Sequence, residues 1–129
     1  MSLQVSTIML GVDDLVRAKR FYERLGCEID KDTRHFVSFV LGEGSSRLAL
    51  YEWEAAAQDA GVSPRGSGFR GVSLHFNPDS REVVDEMMHN AVAAGGSVVR
   101  EAAAAPWGGY FGYFSDPDGY LWKVTTYAS

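Results

Sequence analysis

The sequence predicts an α+β fold of two tandem βαβββ modules, whose curved mixed sheets surround a concave cup. Three observations predict it. A β-α-β-β-β order of elements occurs twice, and landmark residues recur between the halves at slowly growing offsets. The composition is that of one compact chain: 129 residues, 46% hydrophobic and 22% charged, close to globular averages and large enough for a single substantial core.

The first half opens with a strand-like run, Val5 to Leu10. Asp13 or Asp14 then offers a helix N-cap. Leu15, Ala18, Phe21, Tyr22 and Leu25 follow at helical spacing, and Gly26 sits where a helix stop belongs. Cys27 to Lys31, His35 to Leu41 and Arg47 to Trp53 read as three strands, the last two joined by the turn Gly42-Glu43-Gly44-Ser45-Ser46. Glu54 to Ala60 has weak helical character, and Gly61 to Gly68, with Pro64, reads as linker.

The second half repeats the order. Arg70 to Phe76 reads as a strand. Asp79 and Glu82 look like the two ends of a capping box, with Asp79 as N-cap. Val84, Met87, Met88 and Ala91 form the apolar helix face, and Gly95-Gly96 ends it. Ser97 to Arg100, Tyr110 to Ser115 and Leu121 to Tyr127 complete the strands, with Asp116-Pro117-Asp118-Gly119 turning the last pair. Thr7 matches Gly71 at an offset of 64, Gly26 matches Gly95 at 69, and Leu48 matches Trp122 at 74, as expected when insertions fall in loops. The expected organisation is a single domain over 1–129: module one at about 4–54, linker at about 55–68 and module two at about 69–128. Each half alone is too small to bury a core well.

Strand alternation assigns faces. Leu48/Leu50 and Trp122/Val124 are placed against the helices. A hairpin register pairing Phe39 with Ala49, Val37 with Tyr51 and His35 with Trp53, and in the second half Tyr113 with Lys123 and Phe111 with Thr125, then defines the other face. It carries Phe39, Tyr51, Trp53, Phe111 and Tyr113, with His35, His75 and Lys123 as polar points. Such a face suits a small organic ligand; the same aromatics also read as core or dimer-interface residues. Glu101 to Gly109 reads as a lid beside the cup, with Trp107 as its large apolar side chain.

Met9-Leu10-Gly11-Val12-Asp13-Asp14-Leu15, Arg17 to Gly26 with its Phe21-Tyr22 and Leu25-Gly26 pairs, and Gly112 to Trp122 with Asp116-Pro117-Asp118-Gly119 carry a family likeness. In these segments the chain resembles the vicinal-oxygen-chelate superfamily, which includes glyoxalase I, bleomycin-resistance proteins and dioxygenases. The resemblance spans nearly the whole length. In metal-dependent members it implies four ligands, from strands one, four, five and eight. Those positions fall here on Thr7, on Ala49 or a neighbour, on Gly71 and on Lys123. None is a good ligand for a divalent metal, and the Lys123 ammonium would repel one. A substitute set from His35, His75 and His89 would need residues of both modules to coincide. The resemblance therefore implies no metal and no cofactor.

Two functions from different classes follow. One is a metal-free small-molecule-binding protein whose aromatic cup takes a small organic ligand. The other is an enzyme of the same superfamily, a lyase, isomerase or dioxygenase-like protein with a non-standard metal or none, in which Lys123 or His75 would serve as acid or base. A third reading makes the cup merely a dimer seam. Net charge is −5, which gives no large cationic footprint for nucleic acid or anionic membrane. That charge suits cationic ligands in a general way, whereas Lys123 points locally to an anionic or carbonyl-bearing one. One cysteine, Cys27, excludes an intrachain disulfide. No apolar run reaches the roughly 20 residues of a membrane span, and the first residues show no secretory pattern, so a cytoplasmic homodimer is expected.

Overall fold

The structure, a computed structural model, describes residues 5–60, 62–66, 69–70, 72–106 and 108–129. The chain divides into two compact units, Met1–Ser67 and Gly68–Ser129. The first holds β1 (Thr7–Val12), α1 (Leu15–Arg24), β2 (Glu28–Asp32), β3 (Phe36–Val40), β4 (Arg47–Glu52) and α2 (Trp53–Ala60). The second holds β5 (Ser73–Phe76), α3 (Arg81–Ala93), β6 (Ser97–Ala104), β7 (Tyr110–Ser115) and β8 (Leu121–Thr126). Each unit forms one four-stranded mixed sheet, ordered β1-β4-β3-β2 and β5-β8-β7-β6. In each, the first strand runs parallel to the last and the remaining pairs are antiparallel.

The duplication extends to hydrogen bonds. Asp14 caps α1 by accepting from Arg17 N at 3.0 Å, and Ser80 caps α3 by accepting from Val83 N at 3.2 Å. The cap of α3 is thus Ser80, one residue past the expected Asp79. Both carry a capping oxygen, and the buried stripe of Val84, Met88 and Ala91 selects the turn that begins at Arg81. Both helices end the same way. Gly26 N reaches Glu23 O (2.9 Å) and Cys27 N reaches Tyr22 O (3.0 Å); Gly95 N reaches Val92 O (3.1 Å) and Gly96 N reaches Ala91 O (2.8 Å). Each is a Schellman closure whose left-handed residue is glycine, at φ +93° for Gly26 and +112° for Gly95.

Each helix buries one face on its own sheet. Under α1, Phe21 and Tyr22 meet edge to face at 4.9 Å, and Tyr22 leans on Phe39 at 6.0 Å, with Val12, Val37, Leu48 and Leu50 buried around them. Under α3, Phe114 stacks on Trp122 at 6.0 Å, and Val84, Met88, Ala91 and Val124 are buried. The Leu48/Leu50 and Trp122/Val124 faces therefore lie against the helices, as expected.

Two expectations are corrected. The β3–β4 register is Phe36↔Tyr51, Val37↔Leu50, Ser38↔Ala49 and Phe39↔Leu48, one residue away from the expected pairing. The slip lets Phe39 and Val37 join Leu48 and Leu50 in the core, burying two large side chains that the other register would leave on the opposite face. In addition, Glu101–Ala104 is not a lid: β6 continues through it, pairing Ala103 with Phe111 and Ala104 with Tyr110. Alanines have weak strand propensity, but partner strand β7 overrides it. The remaining turn is closed by Ala105 N to Gly109 O at 2.7 Å and Gly108 N to Ala105 O at 3.0 Å. Trp107 lies outside the described residues.

Candidate functional site: the open sheet faces

The face of each sheet opposite its helix is built from register. In unit two, β5 pairs His75 with Lys123, β7 pairs Tyr113 with Lys123, and β6 pairs Arg100 with Tyr113. Paired residues in adjacent strands share a face, so His75, Lys123, Tyr113 and Arg100 form one row across all four strands. The next row contains Thr125, Phe111 and Ala103. Here the expected Phe111–Thr125 and Tyr113–Lys123 pairs are both present.

The row is tied to the next one chiefly through Phe111. Lys123 Nζ lies 4.7 Å from the Phe111 ring centroid and 5.9 Å from that of Tyr113. Arg100 Cζ lies 4.7 Å from the same Phe111 centroid. The two rings meet edge to face at 6.1 Å. Cations over aromatic faces are attracted by the ring quadrupole, by about 0.5–1 kcal/mol each when exposed. His75 Nε2 is 2.9 Å from Ser73 Oγ. Thr125 is buried, and its Oγ1 meets no hydrogen-bond partner among the described residues. Phe69, Ser73, Val99, Arg100, Tyr113 and Leu121 line an open hollow of about 420 Å³ on this face.

The open face of unit one is different. Met9, Ala49 and Ser38 form its central row, with Gly11, Tyr51 and Phe36 beside them. Phe36 and Tyr51 meet edge to face at 6.1 Å. Arg47 Nε donates to Asp30 Oδ2 at 2.9 Å, and Ser38 Oγ donates to the same oxygen at 3.3 Å.

Of the residues the sequence singles out, His75, Phe111, Tyr113 and Lys123 come together on the open face of unit two, and Tyr51 lies on that of unit one. Trp53 begins α2 instead of ending β4; its ring packs where a Cβ on Gly11 would point, and its Nε1 donates to Pro64 O at 2.7 Å. Phe39 is in the helix-side core and His35 is also off the open face, its Nδ1 2.8 Å from Glu52 Oε1. Both moves follow from the one-residue slip. Arg100, Phe36 and Ser38 belong to the open faces and were not anticipated. Periodicity could not reveal Arg100, because β6 shifts register on both sides of it.

The metal-ligand positions can be read in the same geometry. Ala49 offers only a methyl group, and Lys123 an ammonium directly beside His75. Thr7 pairs with Arg47 on β1, and Gly71 lies outside the described residues. Among the described residues no three His, Cys, Asp or Glu side chains converge. His89 is exposed on α3, beside Asp85 and Glu101 on the helix side of the sheet. These donors do not fit a divalent metal site.

The family model of the Glyoxalase/Bleomycin resistance protein/Dioxygenase superfamily matches residues 4–124. The chain belongs to this superfamily. A glyoxalase-related enzyme from Fulvimarina pelagi has a similar structure, with 32% identity and a TM-score of 0.85, over 95% of this chain and 87% of that one. A hypothetical protein from S. aureus is 25% identical with a TM-score of 0.83, over 98% and 94% of the two chains. A family enzyme from Burkholderia phytofirmans PsJN, 20% identical over 94% of this chain and 96% of that one, shares the fold at a TM-score of 0.82. No curated protein matches the sequence significantly. Among the described residues, no helix of this superfamily member is long and apolar enough to cross a membrane.

Proposed function

We propose that this superfamily member binds a small organic molecule on its aromatic open face and does so without a divalent metal. The observation that carries the reading is Lys123. It stands on β8 where metal-dependent relatives place a carboxylate, and its ammonium lies 4.7 Å over the Phe111 ring. Glyoxalase-type catalysis uses a metal to polarise two adjacent oxygens and a carboxylate to move the proton. Lys123 and Ala49 supply neither. What the face offers instead is aromatic surface, a hydroxyl at Thr125 and cationic anchors, which are means of holding a ligand.

A second reading, a metal-free enzyme, is favoured by one contact: His75, hydrogen-bonded to Ser73 at 2.9 Å and in register with Lys123, could move a proton. The name of the Fulvimarina relative, a glyoxalase-related enzyme, agrees with that alternative. We also place the protein in a homodimer, because Phe69, Val72, Val99 and Phe76 are exposed on unit two and apolar surface of this kind is commonly covered by a second copy.

Elemental analysis of the purified protein decides the metal question. The expected result is no stoichiometric zinc, nickel, iron or manganese and no glyoxalase activity. About one metal per chain, lost on chelation together with activity, would overturn the proposal.

A further inference from the structure

Resting on the reading that the open face of unit two holds a ligand, we infer that its ligand class is an aryl or otherwise flat organic anion, held by Arg100 and Lys123. The protein as a whole carries a net charge of −5, and a general field of that sign favours cations. The local arrangement is opposite. The row His75–Lys123–Tyr113–Arg100 places one lysine and one arginine on a single face. No Asp or Glu occupies the registered positions around it, which are Ser73, Leu121, Thr125, Phe111, Ser115 and Ala103. Glu101, the nearest carboxylate in sequence, lines the hollow beside α3 instead.

The two cations are close to each other. Each lies 4.7 Å from the Phe111 centroid, so their separation cannot exceed twice that distance, on the order of one Debye length at physiological salt. Two like charges so placed repel, and an anion received between or beside them relieves the repulsion while gaining charge-assisted hydrogen bonds. The guanidinium suits a carboxylate, sulfonate or phosphate in a forked geometry. The Tyr113 ring, which lines the hollow, supplies flat apolar surface beside it, while Phe111, buried and contacted by both cations, helps to position them. Thr125 Oγ1, buried without a partner among the described residues, adds a hydroxyl next to Phe111 for a further polar atom.

The equivalent row in unit one is a useful contrast. There Met9, Ala49, Ser38 and Lys31 stand in the places of His75, Lys123, Tyr113 and Arg100, and the one nearby arginine, Arg47, is engaged by Asp30 at 2.9 Å. A row with two cations is a property of the second sheet's residues; the first sheet's row has one, Lys31, next to Asp30 in sequence.

The test uses two fluorescent probes of the same aryl framework: anilinonaphthalene sulfonate, which is anionic, and N-phenylnaphthylamine, which is neutral. At low salt the folded protein is expected to bind the sulfonate about tenfold more tightly than the neutral probe, a preference that salt erodes. Amide shifts on sulfonate binding should centre on His75, Arg100, Tyr113 and Lys123. Lys123→Met and Arg100→Met should each weaken the sulfonate by about three- to tenfold while leaving the neutral probe within about twofold, and Lys123→Arg should retain the preference. If a Met variant does not fold, the salt dependence and Lys123→Arg carry the test. Equal affinity for both probes on this face, or sulfonate shifts centred elsewhere, would overturn the anion assignment and leave the ligand-binding reading standing. Failure of both probes to perturb this face would overturn both.

Discussion

The two sheets are the same machine fitted with different parts. Both run first-last-third-second with the same parallel and antiparallel pairs. Both helices end in the same glycine closure. Position for position, Val37↔Leu50, Ser38↔Ala49 and Phe39↔Leu48 correspond to Gly112↔Val124, Tyr113↔Lys123 and Phe114↔Trp122. On the helix side the residues stay large and apolar, apart from Gly112. On the open side Ala49 and Ser38 become Lys123 and Tyr113. Packing against a helix constrains one face of each sheet to a shape and a polarity. The other face only has to continue the backbone ladder, so it is free to change chemistry.

The largest expected effect tests that equivalence. Phe39→Ala and Phe114→Ala remove corresponding core rings and should each cost about 3–5 kcal/mol in denaturant unfolding. A cost below about 1 kcal/mol for Phe39→Ala would mean that Phe39 faces outward after all, and the comparison would fail with the register.

Gly112 sharpens it. Its counterpart Val37 is buried with a full side chain. A Cβ on Gly112 would come within 3.0–3.1 Å of Ala102 N, Ala102 Cα and Arg100 O, because β6 is bulged on both sides of Arg100 and its backbone fills that space. Gly112→Ala should therefore destabilise by about 1–3 kcal/mol, read by thermal or chemical unfolding, and an unchanged midpoint would show that the bulge yields easily.

The smallest effect concerns Cys27, whose counterpart after the helix is Gly96. Burial pushes the Cys27 thiol above its ordinary range, which disfavours the nucleophilic thiolate. At about pH 8 it should react with a disulfide reagent markedly more slowly than in denaturant. Equal rates would place the thiol at the surface.

The element order, both helices and the turns were legible because their signals are local. Gly26 and Gly95 must adopt positive φ, and only glycine does so without strain. Asp116 closes its turn through Oδ1, which accepts from Asp118 N and Tyr120 N at 2.9 Å each. A side chain bonding its own turn is written in adjacent residues. The second sheet's face was also readable, since a turn closed by the Asp116 carboxylate fixed one register and placed Tyr113 beside Lys123.

The first sheet's face was not, because the glycine- and serine-rich connection 41–46 permits either parity and the choice is made by burial across the sheet. Pairing Phe39 with Leu48 brings it beneath Tyr22, a contact between residues distant in sequence. The same choice takes Phe39 and His35 off the open face and puts Phe36 and Ser38 on it. Arg100 was hidden for a related reason: two register shifts in β6 break the alternation that periodicity relies on. Alone, the sequence of this protein determined where most of its helices and strands run, and its family resemblance implies that Lys123, and Ala49 or a neighbour, fall where metal-dependent members place carboxylates. Tertiary structure decided which side chains share a face, because strand parity depends on the packing of distant residues, and one residue of slip exchanges the core for the surface.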